Sequence, residues 1–314
     1  MSYLFTTLRK FFLLIVSELI GSSVGLTLIG WINRVLLKGK LQTLFVCYSV
    51  NKEYKNAMIF DWYAPRIQWR PAIAGIFLHK LGGGLTFGIS ADEGDISDPA
   101  NRDKLKQLDD RMAALASKIG AKNVAYAGII PGVMRKLDLR KTTPESSATV
   151  NLIISSLKKI EESEQLPADF PIIIIGSSGH IGAELVSKLS ATDADRLVKI
   201  DLQHLACDDN FPEPLRAHFG KPAVAINVSR NKVLDTYLEY MWPGLVILND
   251  VFPEADKATL QAIRNLGAKY YHLAGIKGVA FPKFPKSYAG SIPCCTALVR
   301  SEIMSAYEVH LLRR

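Results

Sequence analysis

PIIIIGSSGHIGAELVSKL, residues Pro171 to Leu189, joins an unbroken apolar run to three evenly spaced glycines and then to a helical pattern. Four isoleucines with no polar alternation suit a strand buried on both faces, as in a parallel sheet covered by helices. Gly176, Gly179 and Gly182 follow as G-x-x-G-x-x-G. In a strand–turn–helix context each glycine has a separate task. The first allows the tight turn, the second lets backbone approach a pyrophosphate, and the third lets the helix sit close to the strand. The helix His180–Leu189 would offer its N-terminal amides and dipole to the phosphates. The predicted cradle is Gly176, Ser177, Ser178, Gly179, His180, Ile181 and Gly182. His180 reads as a helix cap or a phosphate neighbour rather than as an acid or base.

Asp201 ends the next apolar run, 19 residues after Gly182. That is the place of the acid that takes ribose hydroxyls in dinucleotide folds and repels a 2′-phosphate. Arg196, Lys199 and His204 lie close in sequence as alternative partners for a phosphate. Further on, AVAINVS, GLVILND and YYHLAG read as more strands. Asn227 and Ser229, with Asn249 and Asp250, stand at strand ends that face a cofactor in such sheets. Apolar strands alternating with helices predict an α/β chain. It comprises a doubly wound Rossmann-type domain, a second α/β domain and an N-terminal apolar helix. The expected divisions are 1–40, 41–166, 167–285 and 286–314, with Pro167 and Pro171 at the main boundary and a C-terminal helix packing back near the active site.

Ahead of that boundary, LQTLFVCYSV reads as a strand and Gly82-Gly83-Gly84 as a loop or tight turn. NVAYAGIIPGVM reads as a short strand and a loop. Asp98-Pro99 opens a helix whose Leu105, Leu108, Met112, Leu115 and Ile119 share one face up to Gly120. Thr143-Pro144-Glu145 opens another, ending near Gln165.

The first 40 residues differ from the rest. Phe11 to Ile32 is apolar apart from Glu18 and is long enough for a bilayer span of about 20 residues. More basic residues follow it than precede it, which predicts a body on the cytoplasmic face of a membrane, anchored or peripheral. The whole chain carries a net charge of +8, but no basic run is interleaved with aromatics, so nucleic acid is not an expected partner. Cys47, Cys207, Cys294 and Cys295 lack C-x-x-C spacing and paired histidines, which argues against a metal site and for a reducing compartment. Pro293 precedes Cys294 and Cys295 at the expected start of the last helix, where a thiol can ionise to a nucleophile.

The order of these pieces resembles the acyl-(acyl-carrier-protein) reductases, which form fatty aldehydes. YAGIIPGVMRKLDL, TTPESSATVNLIISSL, IIIIGSSGHIGAELVSKL, PGLVILNDVFPEA, YYHLAGIKGV and IPCCTALVRSEIM carry the resemblance, which covers roughly Gly120 to Met304. It implies a cysteine that takes the acyl group from an acyl-carrier-protein or CoA thioester, followed by reduction with NADPH or NADH. Cys295 matches best through its C-x-A with Ala297, and Cys294 is the second candidate. Thr142, Thr143 and Ser229 are candidate oxyanion donors. The sequence departs from the family in carrying Pro144-Glu145 for Gly-Asn, Leu298 after the C-x-A, and an Asp201 that favours NADH over the family's NADPH. Two alternatives remain open. One is a shikimate-dehydrogenase-like or glutamyl-tRNA-reductase-like oxidoreductase on a small substrate. The other is a non-catalytic nucleotide-binding scaffold.

Overall fold

The structure, a computed structural model, describes residues 3–49, 55–56, 58–201, 213–230, 232–285, 288–297 and 307–314. It forms two compact units. One comprises Met1–Glu145, Gly278–Phe284 and Gly290–Arg300; the other Ser146–Lys277, Pro285–Ala289 and Ser301–Arg314. The division therefore falls in the first turn of the helix Pro144–Glu164, ahead of the prolines that sequence reading took for the boundary.

The second unit is a doubly wound sheet. Its strands are β5 (Ile172–Ile175), β6 (Leu197–Ile200), β7 (Ala223–Asn227), β8 (Leu245–Asn249), β9 (Lys269–Ile276) and β11 (Val309–Arg313). They lie in the order β11-β9-β8-β7-β5-β6. The five strands β5 to β9 are mutually parallel and β11 is antiparallel to β9. Counted within this unit the parallel order is 2-1-3-4-5, whose topological switch point lies between β5 and β7. All four isoleucines of β5 are at most 4 % exposed, because helices cover both faces of such a sheet. Most of the helix expected over the C-terminal region, residues 298–306, lies outside the described residues. Cys294–Thr296 form a 3-10 turn and the chain ends in the strand β11.

The first unit holds a mixed sheet of β1 (Leu41–Cys47), β2 (Ala72–His79), β3 (Gly82–Gly88), β4 (Asn123–Tyr126) and β10 (Gly278–Phe281) in the order β10-β2-β3-β1-β4. The helix Arg102–Ile119 packs on it through Leu105, Leu108, Met112 and Ile119, all fully buried. Asp98 caps the preceding 3-10 turn, and Gly120 closes the helix in the left-handed region at φ +78°. The Gly82–Gly84 loop is corrected, since these glycines begin β3. A Cβ on Gly84 would lie 1.9 Å from Thr43 O and 2.5 Å from the Phe77 ring. The residues are glycine because two strands and an aromatic ring close on them. Ile130–Lys136, expected as a loop, is a short helix.

The single N-terminal helix is corrected too. Tyr3–Ile15 and Ser23–Val35 are separate helices joined through a π-helical turn, Val16–Ile20. No single helix among the described residues is long and apolar enough to cross a membrane. The pair Thr6–Ile20 and Ser23–Val35 reaches that length and apolarity only together, bent by 82°.

Candidate functional site

The glycine loop leaves the carboxyl end of β5, beside the switch point. Gly176 adopts φ +91°, a conformation strained for any residue with a Cβ. A Cβ there would also lie 2.8 Å from the Cβ of Ser229, just after β7. The two strands flanking the switch point therefore approach through this glycine. Gly182 is tighter still, because its Cβ would fall 2.0 Å from Gly176 O and 2.8 Å from Gly176 C. Gly179 N donates to Gly176 O at 3.0 Å, and the first intrahelical bond runs from Ala183 N to Gly179 O at 2.8 Å. Gly179 is the N-cap of the helix His180–Leu189 and no side chain caps it. Ser178 and Gly179 are exposed and Ser177 is buried. An open, uncapped helix start held close to its strand is the geometry that receives a phosphate.

Asp201 stands just beyond β6, beside the loop, where sequence reasoning put it. Its carboxylate accepts from Ser177 Oγ at 2.6 Å and from Ser178 N at 3.1 and 3.2 Å. It thus braces the turn in addition to setting a negative charge there. Of the basic alternatives, Arg196 is engaged with Asp193, the Ala168 carbonyl at 3.0 Å and the Phe170 ring at 4.5 Å. Lys199 is exposed, and His204 lies outside the described residues. His180 places Nε2 2.8 Å from the buried Ser146 hydroxyl, which ties the helix start to the helix Pro144–Glu164.

At the same end of the sheet, register aligns Asn227 with Asn249 and Asn249 with His272. All three are at most 2 % exposed. Asn227 Nδ2 donates to Asn249 Oδ1 at 2.7 Å, and Ser229 N donates to Asn227 Oδ1 at 3.2 Å. Asn249 Nδ2 donates to Val251 O at 3.0 Å and lies 3.2 Å from His272 Nδ1. His272 Nδ1 is also 3.1 Å from Asn249 O. The ring nitrogen accepts from the amide in one tautomer and donates to the carbonyl in the other. The row is a buried polar relay leading to Ser229. Sequence reading found its two asparagines but passed over His272. The signal was a polar residue three places into YYHLAG, level with the asparagines of the two neighbouring strands.

Cys294 and Cys295 belong to the other unit, as do Thr142 and Thr143. Neither thiol is in a disulfide, and both are half-buried in the turn after Pro293. Thr296 Oγ1 donates to Pro293 O at 2.6 Å and fixes that turn. Cys294–Thr296 form a 3-10 turn, and the residues that would continue into a helix, 298–306, lie outside the described residues. Thr142 is exposed and Thr143 buried. The same unit holds a carboxyl that sequence reading gave only a first-turn role. Glu145 is 1 % exposed, 3.0 Å from Arg140 Nη1. Burial pushes its pKa up against the pull of Arg140. Tyr126 donates to Asp109 Oδ1 at 2.7 Å beside it, under the Arg140 guanidinium. Among the described residues no cluster of three or more His, Cys, Asp or Glu is placed to hold a metal.

No family model matches the chain, and no curated protein matches it in sequence. The structure is similar to that of L-tryptophan dehydrogenase from Nostoc punctiforme at 11 % identity and a TM-score of 0.34, covering 73 % of this chain and 68 % of that one. It is also similar to a protein described as a malic enzyme (malate oxidoreductase), at 13 % identity and a TM-score of 0.37, covering 82 % of this chain and 70 % of that one.

Proposed function

We propose that the chain is an NAD(P)H-dependent oxidoreductase whose dinucleotide sits at the glycine loop. The observation that carries this is the uncapped start of the helix His180–Leu189, held against β5 by Gly182 and Gly176 at the switch point of a doubly wound sheet. The residues fit the group, since the cradle is one that a Cβ would fill and its rim is exposed. Backbone amides at the start of that helix would take the pyrophosphate. Asp201 would face the adenosine ribose, and its charge favours NADH over NADPH. Bound there, the nicotinamide supplies a hydride. The row Asn227, Asn249 and His272 holds Ser229 in place beside the loop.

The finer reading is reduction of an acyl thioester, delivered by CoA or an acyl carrier protein, to an aldehyde. Cys295, or Cys294 beside it, would attack the thioester carbonyl as a thiolate. The acyl group passes to the protein sulfur and the carrier thiol leaves with a proton. The cysteine sulfur would hold that carbonyl for reduction by the bound dinucleotide and then leave as a thiolate, giving the aldehyde. What supports this reading is the pair of adjacent, half-buried thiols, neither in a disulfide, in a fixed turn. A second reading, hydride transfer to a small carbonyl or imine with no covalent step, is favoured by the short 3-10 turn that holds both thiols. Incubation with a long-chain acyl-CoA, followed by intact mass, separates the two. The acyl-thioester reading expects one added acyl group, lost in Cys295→Ala or Cys294→Ala, together with NADH oxidation. Turnover of a small carbonyl that survives both substitutions would support the second reading instead.

A further inference from the structure

We infer that the first unit rests on an anionic lipid surface through one face of its two N-terminal helices, lying in the plane of a single leaflet rather than crossing it. The helix Ser23–Val35 has a buried stripe and an exposed apolar one. Leu26, Gly30 and Asn33 are buried against the body of the unit. Asn33 fixes that stripe, with Nδ2 donating to Leu41 O at 3.0 Å and Ile119 O at 3.2 Å, and Oδ1 accepting from Leu41 N at 2.9 Å. A Cβ on Gly30 would lie 2.3 Å from Lys118 O, so backbone meets backbone here. A helix bonded along its length to a folded body has no freedom to thread a bilayer. Its opposite stripe is Val24, Leu28, Trp31 and Val35, each at least 51 % exposed. The outer stripe of a surface helix facing water is ordinarily polar.

The helix Tyr3–Ile15 and the turn after it continue the face. Leu8, Phe11, Ile15 and Leu19, at helical spacing, are 50–68 % exposed. The face extends onto the sheet, because the Phe12 ring meets Phe281 of β10 at 5.4 Å. Register sets Phe281 beside Ile76 and Val279 beside Leu78, all exposed at this sheet edge. Trp62, 68 % exposed, stacks on Phe60, which contacts Phe11. Exposed apolar area on this scale marks an interaction site, and its tryptophans are the residues enriched at a membrane–water boundary.

Charge selects the occupant. Residues 1–40 hold five basic side chains and one acid. Lys10 lies over the Phe60 ring at 5.3 Å, and Arg34 Nη1 reaches Lys118 O at 3.0 Å. Both cations sit on the helices that carry the apolar stripes. The single acid, Glu18, accepts from Tyr63 at 2.6 Å and is paired with Arg66 at 3.2 Å, so its charge is locally offset. An apolar stripe bordered by cations suits acyl chains beneath anionic headgroups better than it suits a second basic copy of this chain.

The test is flotation of the full chain with vesicles of phosphatidylcholine alone or containing phosphatidylglycerol. Binding is expected to need the anionic lipid and to weaken with salt. Leu19→Asp and Val24→Asp, both at exposed positions, are expected to lower the partition coefficient by about tenfold or more. A solution dimer that these substitutions dissociate, with vesicles unbound, would overturn the proposal in favour of a second copy. Topology is read in a background without native cysteines, with Ser2→Cys or Lys38→Cys added, using an impermeant thiol reagent outside sealed vesicles. The in-plane arrangement labels both sites from one side; labelling of only one contradicts it.

Discussion

Gly182→Ala tests the loop geometry with one methyl group. The added Cβ would lie 2.0 Å from Gly176 O, 2.8 Å from Gly176 C and 2.9 Å from Ser177 Cα. All three are backbone atoms, so no side-chain rotation relieves the contact. Ordinary contact begins near 3.4 Å, and the helix start must therefore retreat from the loop by about 1 Å in a close-packed interior. Overpacking of this kind costs about 1–3 kcal/mol of folding stability. The same retreat stretches amide-to-phosphate hydrogen bonds past their useful length. Losing one charge-assisted bond worth about 1.5–3 kcal/mol weakens NADH binding at least ~tenfold. The assay is a fluorescence titration of NADH alongside urea denaturation. Gly220→Ala is the control, because its φ of +76° strains an added side chain but nothing lies within 4 Å. It is expected to lower stability modestly and leave NADH affinity unchanged. Gly182→Ala with wild-type affinity and stability would refute the close-approach argument.

Other outcomes follow from single contacts. Asp201→Asn retains an acceptor for Ser177 and Ser178 while removing the charge, so the ratio of NADH to NADPH affinity should shift toward NADPH by about tenfold; an unchanged ratio removes Asp201 from the ribose site. Asn249→Leu leaves Asn227 and His272 without their shared partner and should cost about 1–3 kcal/mol in urea denaturation. Glu164 is 5 % exposed. Burial raises its pKa, but Lys269, Tyr271 and Arg313 bring it below the ordinary 4.5. A carboxylate lowered on folding adds stability above its unfolded pKa and loses it as pH falls through the folded value. Glu164→Gln should therefore cost about 1–3 kcal/mol near neutral pH, with the gap to wild type closing below pH 4.5. A gap independent of pH would show that the residue's charge contributes nothing.

The glycine loop was legible because its cause is local. Strand, turn and helix are contiguous, and Gly179 and Gly182 both answer to Gly176 O, while Gly176 alone meets a distant residue, Ser229. The parallel sheet was legible for a related reason, since IIII, AVAIN and LVILN lack the alternation of a one-sided strand. The misreadings have non-local causes. Gly82–Gly84 are strand residues because Phe77 across the hairpin and Thr43 from a strand distant in sequence press on them. The apolar stretch from Phe11 to Ile32 reads as one helix until Asn33 is seen bonded to Leu41 and Ile119. Its inner stripe packs on protein through Leu26, Gly30 and Asn33 and its outer stripe is apolar for another purpose, and hydropathy does not separate the two. His272 was hidden because its significance comes from register with Asn249, which pairing across strands decides. For the thiols, composition suggested a helix start; Cys294–Thr296 make a 3-10 turn, and the residues just beyond lie outside the described residues.

The central claim is dinucleotide binding at the glycine loop. Its most direct measurement is calorimetric titration of the purified full chain with NADH and NADPH, repeated on Gly182→Ala. The account predicts saturable one-to-one binding, tighter for NADH, that weakens at least ~tenfold in the variant. No heat of binding for either nucleotide, or binding that Gly182→Ala leaves intact, would contradict it.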